Sequence, residues 1–311
     1  MALVISGKVF WPYFAGAVIL FIGFVKIIGA GVRQSRGTEK TVAFGPLFLA
    51  IPLAVFGAYH FIASKLVASI VPSWIPGHLF WAYLVGIALI AAALSLITQK
   101  HSLLAATLLS AMLFSFVLLM HVPNFVKNPH DRIIFAVALR DTSFSAGALA
   151  CALAQAHRWP ALLVSRLAIL VRYAIAIPTV VFGVEHFLFP HFVPVIPLEM
   201  PLPSWIPGHL FLAYVTGAVL VACGLSIIFN WRARQAAAWL GITVFAVVLL
   251  VYLPIMIANL SRIEDGLNYF ADTLMFSGSA LLLSGVLPGR EFAKASVADR
   301  AESANRVGVL G

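Results

Sequence analysis

The sequence predicts an all-α integral membrane protein with about nine transmembrane helices, arranged as two parallel four-helix repeats after one N-terminal helix. Three observations predict this fold. Of the 311 residues, 62% are hydrophobic and only 10% are charged, whereas a soluble domain has about a quarter of its residues charged. Mean hydropathy is +1.02, and one long peptide occurs twice. The composition excludes a soluble enzyme, a disordered chain and a secreted disulfide scaffold, because too little polar surface remains to cover a water-soluble core.

Nine apolar runs are long enough to cross the bilayer, for which roughly 20 residues suffice. They cover about 9–31, 43–63, 78–98, 102–122, 132–155, 161–188, 209–229, 235–258 and 267–287. The first run can also be read as a signal peptide with a small-residue cleavage site at 29–31. Arg33, Arg36 and Lys40 follow directly and favour a retained helix, because such charges resist export.

The basic residues are distributed unevenly between the two sides of the membrane. One side holds twelve of them: Arg33, Arg36, Lys40, Lys100, Arg158, Arg166, Arg232, Arg234, Arg290, Lys294, Arg300 and Arg306. The other side holds five: Lys8, Lys65, Lys127, Arg132 and Arg262. This bias predicts a multi-pass protein of the cell (inner) membrane, with the N-terminus outside and the C-terminus in the cytoplasm. The formal net charge of +9 forms no patch that indicates nucleic acid.

An internal duplication is the strongest signal in the sequence. The nonapeptide PSWIPGHLF occupies positions 72–80 and recurs unchanged at 203–211, with further matches in order on both sides. The predicted domains are an N-terminal helix and basic loop at 1–42, a first repeat at 43–158, a second repeat at 159–288 and a polar cytoplasmic tail at 289–311. Because each repeat holds an even number of spans, the repeats are expected to run parallel about an axis near the membrane normal.

Ionisable side chains at membrane depth are the candidate functional residues, since they are costly in a bilayer and usually face a protein interior or a wet cavity. They are His60, His78 and Asp141 in the first repeat and His186, His209 and Asp272 in the second. The prolines of the repeated peptide restrict the preceding residues to extended geometry. We therefore expect a re-entrant or interfacial hairpin that brings the two histidines of each repeat together above the aspartate. Such a set predicts proton transfer.

The repeats differ beside these residues. Tyr59 and His121 of the first repeat become Glu185 and Tyr252 of the second. Glu185 favours the second repeat as the active one, with His209 or Arg140 as its expected partner. Arg140 is expected either to pair with a carboxylate or to snorkel. Matched positions of the two repeats are 126 residues apart at 60 and 186 but 131 apart at 72 and 203. The loop that precedes the hairpin is therefore five residues longer in the second repeat, and we expect it to cover a site.

Structural interpretations of the same residues stay open. A histidine at a helix end often bonds a loop carbonyl, and a repeated aspartate can cap a helix or fix its packing. Four histidines and two carboxylates can also bind a metal, but the sequence lacks a helical His-x-x-x-His pair, and haem needs opposed histidines deep in the bundle. No metal site is therefore predicted, and metal and haem are disfavoured as cofactors.

The motif Phe-Gly-x-x-His-Phe at 56–61 and 182–187, followed by a proline-bearing loop and a helix carrying a glycine, resembles the DoxX-like family of small four-helix membrane proteins. The resemblance covers each repeat once. Some members of that family are membrane partners in quinone-linked oxidation of sulfur compounds. The resemblance therefore implies a quinone as the possible cofactor. The candidate cofactor contacts are Trp74, Trp205, Tyr83 and Tyr214, and the two tryptophans are also expected in the interfacial aromatic belt.

Three functions follow as hypotheses. The first is a DoxX-like, quinone-binding subunit in membrane-linked electron transfer, in which the outer histidines and aspartates exchange protons and a partner subunit carries the redox centre. The second is a non-catalytic structural or assembly subunit of a larger membrane complex. The third is a carrier for a small solute or lipophile. Pro52 and Pro178 lie mid-helix, where a kink can open a lateral pocket for a flat hydrophobic ligand.

Overall fold

The apolar runs are helical in the computed structural model, which describes residues 7–30 and 39–288. Within these residues, nine helical stretches are long and apolar enough to cross a membrane, so the predicted all-α membrane fold is confirmed. The described residues contain one extended pairing, an isolated antiparallel bridge between Phe192 and Pro201. The expected loop residues Gly31, Arg33 and Arg36 and the tail 289–311 lie outside the described residues.

The helices have the following bounds: α1 Gly7–Ala30, α2 Glu39–Val42, α3 Gly45–Ile62, α4 Ser64–Ile70, α5 His78–Thr98, α6 Ser102–Phe116, α7 Val122–Lys127, α8 Arg132–Leu153, α9 Ala161–Leu188, α10 His209–Ile228, α11 Ala233–Val247, α12 Leu253–Ala258 and α13 Tyr269–Val286. Three π-helical turns extend them: Val117–His121 joins α6 to α7, Val248–Tyr252 joins α11 to α12, and Glu264–Asn268 leads into α13.

The first two spans of each predicted repeat cross at a pair of glycines. A Cβ added to Gly57 of α3 would lie 3.0 Å from the carbonyl oxygen of Gly86 in α5, and one added to Gly183 of α9 would lie 2.9 Å from that of Gly217 in α10. Small residues allow such close backbone approach between helices in a membrane. The glycine of the shared Phe-Gly-x-x-His-Phe motif therefore allows the first two helices of each repeat to pack closely.

Helix α13 lies at the centre of the bundle and is buried along most of its length. It packs against α3 and α8 of the first repeat and against α9 and α11 of the second. Helix α8 in turn packs against α9. The fourth helix of each repeat thus contacts the first helix of the other, so that the two repeats share one seam.

Backbone conformations also match between the repeats. The described residues with positive φ form three pairs and one single residue: Gly77 and Gly208, Gln99 and Asn230, His101 and Arg232, and Val195 alone. The three pairs stand at matched positions of the duplicated sequence. These agreements support the two-repeat architecture, and the orientation of its axis relative to the membrane stays a prediction.

Candidate functional site

His60 and His186 hold matched positions at the ends of α3 and α9. The Nδ1–H of His60 donates to the Phe56 carbonyl at 2.7 Å, and that of His186 donates to the Phe182 carbonyl at 2.5 Å. Because a carbonyl oxygen only accepts, each neutral ring carries its hydrogen on Nδ1 and presents a lone pair at Nε2. Both side chains leave the helix towards the glycine of the next helix, since a Cβ added to Gly86 or Gly217 would lie 2.9 Å from the histidine Cβ.

The two rings differ in what contacts Nε2, the second ring nitrogen. The backbone N–H of Val195 donates to Nε2 of His186 at 2.9 Å, and His186 is 1% exposed. No described residue bonds to Nε2 of His60, which stays partly exposed. His186 therefore fastens a loop of its own repeat, as the structural interpretation of these histidines expects.

The second histidine of each repeat does not bond to the first. Nε2 of His209 donates to the Pro203 carbonyl at 3.1 Å and so closes the proline-rich hairpin. His78 forms no hydrogen bond with the described residues; at its hairpin, Nε1 of Trp81 donates to the Pro76 carbonyl at 3.1 Å. Within the described residues, the two histidines of each repeat therefore form no hydrogen bond with each other, and His209 instead bonds a carbonyl of its own hairpin. The expected approach of the two rings within each repeat stays a prediction.

The two aspartates meet at the seam between the repeats. Asp141 lies in α8 about 14 Å from its first residue, at 1.5 Å per residue, and Asp272 lies at the start of α13. Nη1 of Arg140 donates to Oδ2 of Asp272 at 2.7 Å, and Nε of the same guanidinium donates to Oδ1 of Asp141 at 2.8 Å. Nε2 of His121 completes the set, 2.7 Å from Oδ2 of Asp141. We call these four side chains the seam cluster.

The seam cluster carries one more negative than positive charge when His121 is neutral, since one guanidinium faces two carboxylates. All four side chains are largely buried, with 12–19% of each exposed. At about 4 Å and an effective dielectric constant of about 20, one unit charge acts on another with about 4 kcal/mol. Each contact of the guanidinium with a carboxylate is therefore strongly attractive and holds the cluster together across the seam.

A π-helical turn brings His121 into the seam cluster. The turns Val117–His121 and Val248–Tyr252 stand at matched positions, and each is followed by a proline, Pro123 or Pro254. A proline lacks the N–H that a regular helix needs, and π-turns recur at functional sites. From the sequence, His121 was noted only as a difference from Tyr252 and was not predicted as a site residue. The prolines at matched positions were the sequence feature that could have indicated an irregular helix here.

Glu185 is paired with Arg132, and this differs from the expected partners His209 and Arg140. Nη1 of Arg132, at the start of α8, lies 3.6 Å from Oε2 of Glu185 in α9. That carboxylate oxygen is buried and has no hydrogen-bond partner. The guanidinium lies over the rings of Phe189 and Phe192, 4.9 and 4.7 Å from their centroids. The acid unique to the second repeat thus forms a second ion pair across the seam.

The loop at 189–208, which is longer than its counterpart in the first repeat, is buried at residues 193–198. Its side chains Val193, Val195 and Ile196 are at most 2% exposed. Side chains from several helices hold its backbone: Tyr252 Oη donates to the Pro194 carbonyl, Tyr269 Oη accepts from Met200 N–H, and Arg132 donates to the carbonyls of Pro197 and Leu198. We call this loop the plug.

The four aromatic candidates lie away from the seam, on outer faces. Trp74 and Trp205 are 67% and 55% exposed, as the aromatic belt requires. Tyr83 stacks on Phe61, and Tyr214 stacks in the same way on Phe187. These rings fit an interfacial role better than contact with the seam cluster.

A lateral pocket of about 610 Å³ opens between α1, α3 and α5. Its lining is apolar and includes Trp11 and Phe14 of α1, Ala54 and Ala58 just beyond Pro52 in α3, and Ile90 of α5. Its size lies within the range typical of ligand pockets. A pocket with an apolar lining therefore lies beside α3, the helix that contains Pro52.

Among the residues that the structure describes, no three histidine, cysteine, aspartate or glutamate side chains are placed to hold a metal ion. Comparison with protein-family models, with curated proteins and with solved structures finds no match to this chain.

Proposed function

We propose that this protein is a DoxX-like integral membrane subunit that binds a quinone and exchanges protons with it during membrane-linked electron transfer. The observation that carries the proposal is the seam cluster: two carboxylates, one arginine and one histidine in direct contact at membrane depth. Ionisable groups at such depth are expensive and mark proton or substrate pathways.

The charge of the cluster supports a proton-binding role. Pairing of Arg140 with Asp141 alone would be neutral, and Asp272 adds the excess negative charge. Uptake of one proton neutralises the cluster without separating any ion pair. Quinol oxidation releases two protons and two electrons, so a group that binds and releases protons one at a time suits it. The electrons would pass to a redox centre in a partner subunit.

The lateral pocket supports a lipophilic ligand. It opens between three spans, α1, α3 and α5, so a quinone dissolved in the bilayer reaches it without crossing water. We place the protein in the cell (inner) membrane with its N-terminus outside, because the basic residues favour that orientation.

Calorimetric titration of duroquinol into the purified protein in lipid nanodiscs tests this proposal. Repeating the titration in buffers of different ionisation enthalpy gives the number of protons exchanged on binding. We expect the wild type to bind with proton exchange, and Asp272→Asn to bind without it, because that cluster is already neutral. Asp265→Asn is the matched control, since its exposed carboxylate pairs only with Arg262.

Two outcomes contradict the proposal: a wild type that binds no duroquinol, or an Asp272→Asn protein whose proton exchange equals that of the wild type. The structural-subunit alternative predicts the first of these, together with a loss of stability in Asp272→Asn and no other effect.

A further inference from the structure

We propose that the first repeat holds the quinol headgroup at Nε2 of His60, in the position that the plug of the second repeat occupies in its own repeat. The inference rests on the proposed function and names the site and redox form of the ligand. Its starting observation is that His60 and His186 form the same hydrogen bond through Nδ1 but differ in what contacts Nε2. Each ring donates Nδ1–H to the carbonyl four residues earlier, and each histidine Cβ packs against the glycine of the next helix, Gly86 or Gly217.

The plug behaves as a built-in ligand of the second repeat. Its adjacent residues present a carbonyl to Tyr252 and an N–H to His186, at Pro194 and Val195. Val195 adopts φ +79°, a conformation that a β-branched residue avoids. Such a conformation persists only where the surroundings over-determine it. His186 and Tyr252 thus both bond to this stretch of the plug, so these two side chains form a polar binding position.

The first repeat has the same binding position without the plug. The loop before its hairpin is shorter by five residues, since matched positions of the two repeats are 126 residues apart before this loop and 131 apart after it. His60 and His121 stand where His186 and Tyr252 stand in the second repeat, and they stay partly exposed while the latter two are at most 1% exposed. No described residue takes the place of the Val195 N–H at Nε2 of His60. The first repeat is therefore the accessible one.

The protonation of His60 selects the ligand. Because Nδ1 carries the hydrogen that Phe56 accepts, Nε2 only accepts. Its complement must be a donor, as the Val195 N–H is for His186. A quinol presents O–H donors, whereas the oxidised quinone presents only carbonyl acceptors. His60 therefore favours the reduced form, and the contact of His121 with Asp141 links this position to the seam cluster.

The test compares duroquinol with its dimethyl ether, which has the same ring but no O–H, by equilibrium binding to the full-length protein in nanodiscs. We expect the wild type to bind duroquinol about tenfold more tightly, the effect of one hydrogen bond of about 1.4 kcal/mol. In His60→Phe the two probes should bind equally. His157→Phe is the control, because it removes an exposed imidazole in the turn between α8 and α9, at the opposite end of α8 from Arg132, and it should keep the tenfold preference.

The outcomes separate the two proposals. If the wild-type protein binds duroquinol and its ether equally, the His60 assignment is overturned. This comparison needs no variant, so it decides the question even if His60→Phe does not fold. A preference that survives in His60→Phe, or disappears in His157→Phe, overturns the assignment and leaves the proposed function standing. Absence of duroquinol binding to the wild type overturns the proposed function together with it.

Discussion

Arg140 and Asp272, which lie 132 positions apart in the chain, form an ion pair with Nη1 of the guanidinium 2.7 Å from Oδ2 of the carboxylate. The pair joins α8 of the first repeat to α13 of the second. The matched position of Arg140 in the second repeat is Ala271, so the contact is made once and not twice. A duplicated sequence thus forms an asymmetric centre because one arginine serves both aspartates.

Removing that arginine should destabilise the protein strongly. In Arg140→Leu, two carboxylates stay buried without a cation, and breaking a buried pair in this way costs about 3–5 kcal/mol. Unfolding by sodium dodecyl sulfate in mixed micelles measures the change. Arg262→Leu removes an exposed pair with Asp265 and should cost at most about 1 kcal/mol. Equal losses in the two variants would show that the seam cluster is not held together by Arg140.

A second expectation concerns the packing of α13 on α3. A Cβ added to Gly278 would lie 3.0 Å from the carbonyl oxygen of Gly45 and from the backbone nitrogen of Leu49. Backbone atoms cannot move aside as a flexible side chain does, so Gly278→Ala should cost about 1–3 kcal/mol. Gly285→Ala, seven residues further along the same helix, meets only Val42 at 3.4 Å and is the control. Thermal unfolding in detergent distinguishes them; a Gly278→Ala protein as stable as Gly285→Ala would contradict this packing.

The plug should loosen when His186 loses its ring nitrogen. In His186→Phe, the Val195 amide loses its acceptor, and the strain at its positive φ favours release. We expect hydrogen exchange at the Val195 amide to become at least about tenfold faster, as loss of a bond of about 1.4 kcal/mol implies. His60→Phe removes the matched helical bond but does not touch the plug, so exchange at Val195 should match the wild type there. Unchanged exchange in His186→Phe would mean that other contacts alone hold the plug.

The spans could be predicted from the sequence because hydrocarbon thickness and apolar composition determine them. The runs predicted at 78–98 and 161–188 coincide with α5, His78–Thr98, and α9, Ala161–Leu188. Two features of the site could not be predicted in the same way. The contact of His121 with Asp141 depends on a π-turn, which changes the side that a residue faces by breaking the 3.6-residue period.

The other unpredicted feature is the pairing across the seam. Sequence patterns within one repeat do not specify how two bundles pack, so Arg132 could not be assigned to Glu185 before the seam was known. For Arg140, both a carboxylate pair and snorkelling were consistent with its place in the chain, and the structure shows the pair. The hydrogen bonds of the histidines also could not be assigned from the sequence: His60 and His186 bond carbonyls of their own helices, and His209 bonds a carbonyl of its hairpin.

The last expectation concerns Arg132 and Glu185, whose contact differs from an ordinary salt bridge. The guanidinium also donates to the carbonyls of Pro197 and Leu198 and lies over two phenylalanine rings, whereas Arg132 is the one cation that pairs with Glu185 among the residues described. Arg132→Met should therefore destabilise the protein more than Glu185→Gln, because it leaves a buried carboxylate and two loop carbonyls without a partner.

A double-mutant cycle measures how much of that loss comes from the charge pair. Once Glu185 is a neutral glutamine, Arg132→Met no longer strands a carboxylate, so the double variant should be more stable than the sum of the single effects predicts by about 1–3 kcal/mol. Tyr59→Phe, at the matched position of the first repeat, loses only its bond to Glu264 and should not couple with Arg132→Met. Additive effects of Arg132→Met and Glu185→Gln would instead mean that the arginine holds the plug through the carbonyls and rings, and that Glu185 contributes nothing to the seam.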